Sequence, residues 1–415
     1  MKIGLYTLTS PLHDEATVNA TSASFVSDIE AALGFAFEFH GSDFSSYGSD
    51  DLSLIYVRTG GTEGLFQQVY ERLEGPVLLL TSGKSNSLAA SMEILSFLNQ
   101  QGRSGEIIHG SVDYIAKRID VLSKVANAQQ KLRRTRLGVI GQPSDWLISS
   151  AADPVALSEK LGITMVNIPI SELVEEYHQV DEFASDLLIS VRNRFETCAP
   201  KALHKYYEGA YRIYVALKVL VERYSLSGLT LRCFDLLDVL QNTGCLALAL
   251  LNAEGIPAGC EGDVPTLVTM AVGNVLTGVS GFQANPSRID PEAGEILFAH
   301  CTIPFNMVDS YTFNTHFESG IGIAICGDIP TGDATVFKLS GDLKRSFCCE
   351  ADLLKCQNEA NLCRTQAVLK IKGSADERTA ICKNYFLKSP VGNHHVVFTG
   401  AQKELFDAFV QQTLL

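Results

Sequence analysis

The sequence predicts an α/β chain: two doubly wound parallel-sheet domains followed by a mostly antiparallel β domain. Three observations lead there. Apolar strand patterns alternate with amphipathic helices over the first 125 residues. The opening Lys2-Ile3-Gly4-Leu5 has an echo in Arg136-Leu137-Gly138-Val139, a basic residue followed by a strand, so a second α/β unit begins there. After Gly281, short β-like runs separated by Gly and Asp turns replace the helices. The expected domains are 1–125, 126–280 and 281–415, the first boundary falling inside a long helix.

Within the first segment, strands are expected at 2–6, 52–57 and 76–80. Helices follow at 62–73 and 86–99, the second with Leu88, Met92, Ile94 and Leu95 on one face and Ser85 or Asn86 as its cap. A helix over 113–130 places Ile115, Ile119, Leu122 and Ala126 at helical spacing. The second unit continues through a strand at 163–168 and a Tyr-rich helix over 203–224. The apolar run 246–251, with Ile256 beyond it, reads as a strand leading into a Gly-flanked turn. Strands are then expected at 295–301, 321–326, 334–339, 367–371 and 396–399, and a final amphipathic helix at 403–414.

Composition narrows the function. A chain of 415 residues with 46% hydrophobic content has ample material for more than one core. The net charge of −14, with its one basic knot at Lys131-Leu132-Arg133-Arg134-Thr135-Arg136, argues against a nucleic-acid partner. No run approaches the ~20 apolar residues of a membrane span, and the N-terminus reads as a first strand rather than a signal peptide. The 11 cysteines lie mostly in apolar runs, without C-x-x-C pairs, and read as reduced thiols of a cytoplasmic protein. Cys348-Cys349 reads as buried small hydrophobes.

The chemistry concentrates in two places. Cys260-Glu261-Gly262-Asp263-Val264-Pro265 puts two carboxylates in a Gly-containing turn before an apolar helix. Asp263 suits the N-cap of that helix, with Pro265 in its first turn; Glu261, ahead of the cap, is free to hold a ligand. About 130 residues on, Asn393-His394-His395 precedes a short strand. Adjacent side chains in extended chain point opposite ways, so one His is expected to ligate and the other to pack or hydrogen-bond. Carboxylate and imidazole together suit a divalent cation such as Mn²⁺. His300, inside an apolar strand, fits a ligand or a satisfied core histidine. His316 and Glu318, two apart in a segment read as extended, would share a face. Asn285, before Pro286, is an ordinary turn residue by itself. Ser82-Gly83-Lys84-Ser85 lacks the glycine spacing of a P-loop, and Thr59-Gly60-Gly61-Thr62-Glu63-Gly64 lacks the dinucleotide pattern.

Through Glu261-Gly262-Asp263, Leu276-Thr277-Gly278 and Gly392-Asn393-His394-His395, the chain resembles the L-fucose isomerase and L-arabinose isomerase superfamily. The resemblance is specific over roughly 256–301 and 390–409 and looser over the first 130 residues. It implies the three-domain arrangement above and a Mn²⁺ or other divalent-cation site made by Glu261, Asn285 and His394, with His300 at nearly the spacing of a further ligand. Where the family has a second acid, this chain has Asn285, which can ligate through its carbonyl oxygen but cannot act as a base. The activity implied is aldose–ketose isomerisation of a deoxy- or pentose-type sugar through an enediolate. In that scheme Glu261 ligates and shuttles a proton; outside the family motif, Glu318 or Asp309 is expected to supply the second carboxylate. His316 orients sugar hydroxyls and Asp263 stands beside them. The family assembles as trimers or hexamers, so a homo-trimer or homo-hexamer is expected. Arg58 and Lys84, near the ends of first-domain strands, would then reach a neighbour's sugar. The alternatives are an epimerase or lyase on a modified sugar, and a non-catalytic sugar-binding protein of the same fold.

Overall fold

The structure, a computed structural model, describes residues 1–180 and 184–414. It divides into two compact units: Met1–Gln130 with the last helical turns from Asp407, and Lys131–Phe406. In the first unit, β1 (Ile3–Leu8), β2 (Glu38–Gly41), β3 (Leu52–Val57), β4 (Val77–Leu80) and β5 (Gly105–Ile108) form a parallel sheet in the order β2-β1-β3-β4-β5. All residues of β1 and β4 are buried, as a parallel sheet covered on both faces requires. Alternation along the strands divides them between two cores. Ile3, Leu5, Leu54 and Leu78 pack with Ile29, Ile115 and Ile119, whereas Tyr6, Ile55, Val77 and Leu79 pack with Phe66, Ile94 and Leu98. The short strands β2 and β5 are partly exposed and carry too little apolar pattern to be read from sequence.

The second unit contains, among the described residues, a parallel sheet, a barrel and a two-stranded hairpin. β6 (Arg136–Ile140), β7 (Thr164–Ile168), β8 (Gly228–Leu231) and β9 (Ala258–Cys260) are parallel in the order β7-β6-β8-β9. Then follow β10 (Phe282–Asp290), β11 (Glu295–His300), β12 (Ser310–Asn314), β13 (Ala324–Asp328), β14 (Gly332–Leu339), β15 (Ser346–Gln357), β16 (Thr365–Ile371) and β17 (His395–Thr399). Six of them close an antiparallel barrel in the order β10-β11-β16-β15-β14-β17, and β12 and β13 form a separate hairpin. The expected fold class is therefore the observed one.

An element of the second unit differs from its expectation. The run 246–251 is not a strand but the middle of a helix, Cys245–Ala253, buried from Cys245 to Asn252. A short, wholly apolar run has no periodicity to separate the two, and a helix that is apolar all round belongs inside a protein. This helix packs against β9 and β13 and contributes to one core continuous from the parallel sheet to the barrel. The helix Val264–Thr277 also bridges them, touching β6, β8 and β9 on one side and β10, β14 and β17 on the other. Its approach to β17 depends on Gly273, where a Cβ would lie 2.1 Å from the Phe398 ring.

The 11 cysteines are all free thiols; Cys349 is buried and Cys348 half-buried in β15. Among the described residues no helix is long and apolar enough to cross a membrane.

A Gly273→Ala substitution should lower stability to chemical denaturation by about 1–3 kcal/mol, because an added methyl has to displace a packed ring. Combining it with Phe398→Leu should recover part of that loss.

Candidate metal centre

Glu261 is positioned by its backbone. β9 ends at Cys260, whose N–H donates to Gln283 Oε1 at 2.8 Å. The chain then turns through two left-handed residues, Glu261 (φ 64°) and Gly262 (φ 70°). Gly262 has no substitute here: a Cβ would meet Gln142 O at 2.4 Å. Glutamate has no such exemption, and its left-handed conformation costs about 1–2 kcal/mol. The turn is held by Gly262 N–H donating to Leu231 O and Ser144 N–H donating to Glu261 O, at 3.0 and 2.9 Å. Strain of this kind gathers at functional sites.

Asp263 caps the next helix as expected: its Oδ1 accepts from Thr266 N–H at 2.9 Å, and Pro265 occupies the first turn. Its other oxygen, Oδ2, lies 2.8 Å from His394 Nδ1. His394, just before β17, therefore donates Nδ1–H to Asp263 and presents Nε2 to Glu261 Oε1 at 3.4 Å. His300, the last residue of β11, places its Nε2 3.8 Å from the same oxygen, and its Nδ1 meets Thr302 Oγ1 at 3.0 Å. One donor atom from each of Glu261, His300 and His394 lies within 4.8 Å of the others. His394 Nε2 is buried and has no hydrogen-bond partner among the described residues. A donor set of one half-buried carboxylate and two buried imidazoles, with an orphaned ring nitrogen aimed at its centre, fits a divalent cation.

The charges respond to the same contacts. Burial alone would raise the Glu261 pKa, but the His300 and His394 imidazoles hold it well below the usual carboxylate range. Asp263 behaves alike: burial opposes its charge, and the Lys338 ammonium followed by His394 outweighs burial. For His394 burial favours the neutral ring, yet Asp263 and Glu261 raise its pKa to about 9. His300 goes down, chiefly by burial.

The other expected residues fall into distinct places. His395 turns away from the centre: its ring sits between Asn393 O, 3.0 Å from Nδ1, and the Tyr385 hydroxyl, 2.8 Å from Nε2. Asn285 lies in β10 beside a bulge rather than in a free turn, and its Oδ1 accepts from Asn393 Nδ2 at 3.1 Å. His316 and Glu318 are not in extended chain, as their spacing had suggested, but in a turn that follows β12. Arg364 pins this turn by donating to Thr315 O at 2.8 Å. His316, mostly buried, is lowered to about 4 by burial and then by the neighbouring His300. Glu318, still exposed in that turn, is raised, first by its partial burial and then by the Glu261 charge. Asp309 is exposed at the far end of β12, five strand residues from that turn, about 16 Å of extended chain. Arg58 and Lys84 belong to the first unit; Arg58 donates to Ser22 and Asn19, and Lys84 is exposed after β4.

Two residues were missed. Lys338, 1% exposed, donates from Nζ to Thr266 Oγ1 at 2.6 Å and lies 3.9 Å from Asp263. Its signal was a lone lysine inside an apolar strand, which needs a buried carboxylate. Trp146 donates Nε1–H to Glu261 Oε2 at 2.6 Å from a loop with no pattern of its own.

Asp263→Asn keeps a good capping residue but leaves Lys338 buried without its carboxylate. Chemical denaturation should show a loss of about 3 kcal/mol, partly recovered by adding Lys338→Met. Divalent-cation affinity should fall about 10–100-fold, because His394 loses the acceptor that orients it.

No family model matches the chain. It is similar to curated sulfoquinovose isomerases. That of Priestia megaterium is 21% identical over 340 residues, spanning 76% of this chain and 73% of the relative. That of Priestia aryabhattai gives the same figures. That of a Clostridium species is 25% identical over 232 residues, 54% of this chain and 52% of the relative.

Proposed function

We propose that this chain is a divalent-cation-dependent aldose–ketose isomerase. The observation that carries the reading is the convergence of Glu261, His300 and His394 around an unpartnered ring nitrogen. The similarity to proteins named sulfoquinovose isomerase supports it and makes a sulfonated hexose the first sugar to test. The deoxy- and pentose-type sugars implied by the sequence resemblance come next.

Isomerisation moves a proton between C1 and C2 of the sugar and shifts the carbonyl. Glu261 Oε1 and the Nε2 atoms of His300 and His394 would hold the cation, Mn²⁺ in this reading. Once bound, such an ion supplies stabilisation of negative charge developing on the sugar oxygens. The rest is done by the protein's own side chains. Asp263 keeps His394 turned toward the site. Glu318, in the turn beside His316, would take the carbon-bound proton and return it, its proton affinity raised by partial burial and by Glu261. Asp309, the other carboxylate expected, stands at the opposite end of the hairpin strand. His316, its ring 5.5 Å from that of Phe234, would orient sugar hydroxyls. Asn285 acts through Asn393, next to His394, or as a neutral oxygen ligand. The same reading includes a homo-trimer or homo-hexamer in which Arg58 and Lys84 of one copy reach the sugar of the next. Sedimentation as a monomer at working concentration would remove that part.

Deuterium incorporation at C2 in D₂O tests the chemistry. With Mn²⁺ and an accepted aldose, the wild type should exchange. Glu318→Gln should retain the metal and lose exchange by about 100-fold or more; Glu261→Gln should lose both. Undiminished exchange in Glu261→Gln would refute the assignment.

A further inference from the structure

Trp146 is the only tryptophan in the chain. It lies in the loop after β6, 115 residues before its partner Glu261, and it is 51% exposed. A large apolar ring left half in water while its N–H is committed to a half-buried carboxylate is an unusual placement, since an indole normally buries its ring. The loop is tied down nearby by Ser144 N–H, which donates to Glu261 O at 2.9 Å. The ring itself is braced edge-on against Phe234, with centroids 4.7 Å apart and planes at 82°. Phe234 in turn is edge-on to His316. An aromatic row, Trp146–Phe234–His316, therefore runs from Glu261 to the turn that carries Glu318.

We propose that Trp146 has two separable roles: it is a positioning residue for Glu261 and the platform for the C–H face of the sugar. This rests on the isomerase reading above. The positioning role follows from the division of the carboxylate. Oε2 accepts the indole N–H at 2.6 Å, whereas Oε1 is the oxygen that faces His300 and His394. The indole thus leaves Glu261 one free oxygen, fixed toward the two imidazoles, and favours single-oxygen ligation over chelation by both. The platform role follows from the exposed remainder of the ring. A sugar reaching both Glu261 and the turn that carries Glu318 would lie along the aromatic row that joins them, next to the exposed indole. The C–H face of a sugar is the apolar surface that an exposed indole can cover. Binding energy supplied there, away from the reacting carbons, holds the substrate in register with Glu318.

The single tryptophan also provides the probe. Intrinsic emission of the full-length wild type should be quenched saturably by Mn²⁺ alone. A second change should follow on adding the aldose that exchanges in D₂O. Two variants separate the roles. Trp146→Phe keeps a ring and removes the donor, and should weaken Mn²⁺ binding about 10–100-fold. Trp146→His keeps an N–H within reach and removes most of the ring; it should hold Mn²⁺ nearly as the wild type does while KM for the sugar rises about tenfold and kcat stays within a few-fold. A merely structural tryptophan would shift Mn²⁺ affinity and KM together in both variants, or in neither, and either pattern overturns the proposal. A wild type that binds Mn²⁺ and turns over sugar with no change in emission overturns it alone. A wild type that binds no Mn²⁺ overturns the isomerase reading, and this inference with it.

Discussion

Asp263 uses its two carboxylate oxygens to make three connections, and the site depends on all of them. Oδ1 ends the helix Val264–Thr277 by accepting from Thr266 N–H, and it faces Lys338. Oδ2 takes the Nδ1–H of His394 and so decides which nitrogen that ring turns toward Glu261. A fully buried carboxylate is unfavourable unless it is paired and hydrogen-bonded. Here the positive end of a helix dipole, an ammonium and an imidazole all converge on it. The helix it caps is packed between the parallel sheet and the barrel. One residue thus links the fold of the second unit to the orientation of a candidate ligand.

Glu261 is held in a different way. Its left-handed backbone is a local cost that persists because the surroundings leave no alternative: β9 is anchored by Gln283, Gly262 lies against Gln142 O, and Ser144 closes the turn. The side chain is fixed from both ends, by Trp146 on one oxygen and by two histidines on the other. A carboxylate presented in this way loses little freedom when it binds a cation, and such preorganisation favours tight and specific ligation.

Local signals made much of this legible in the sequence. The cap at Asp263, the proline after it and the left-handed glycine before it are all chemistry of neighbours in the chain. The division of labour between His394 and His395 follows from the two-residue period of extended chain. The fold class was legible because strand and helix periods change at the right places. Glu261 and His394 were singled out by residue type and by the family resemblance together. His300 stood between two readings, and the geometry puts it with the other two. What was not legible is long-range. Lys338 meets Thr266 across 72 residues and Trp146 meets Glu261 across 115, and neither carries a local mark of its partner. The helix Cys245–Ala253 was hidden by its own uniform hydrophobicity. The pairing of His316 with Glu318 as one extended face failed because the chain turns after Asn314, where Arg364 takes the Thr315 carbonyl.

The central claim is that Glu261, His300 and His394 form one cation site. Anomalous diffraction from Mn²⁺-soaked crystals, collected at the manganese edge, tests it most directly. The account predicts one strong peak per chain, within bonding distance of Glu261 Oε1 and of Nε2 on both histidines, and its disappearance in His394→Ala crystals. A peak elsewhere in the chain, or none at a saturating soak, would contradict it.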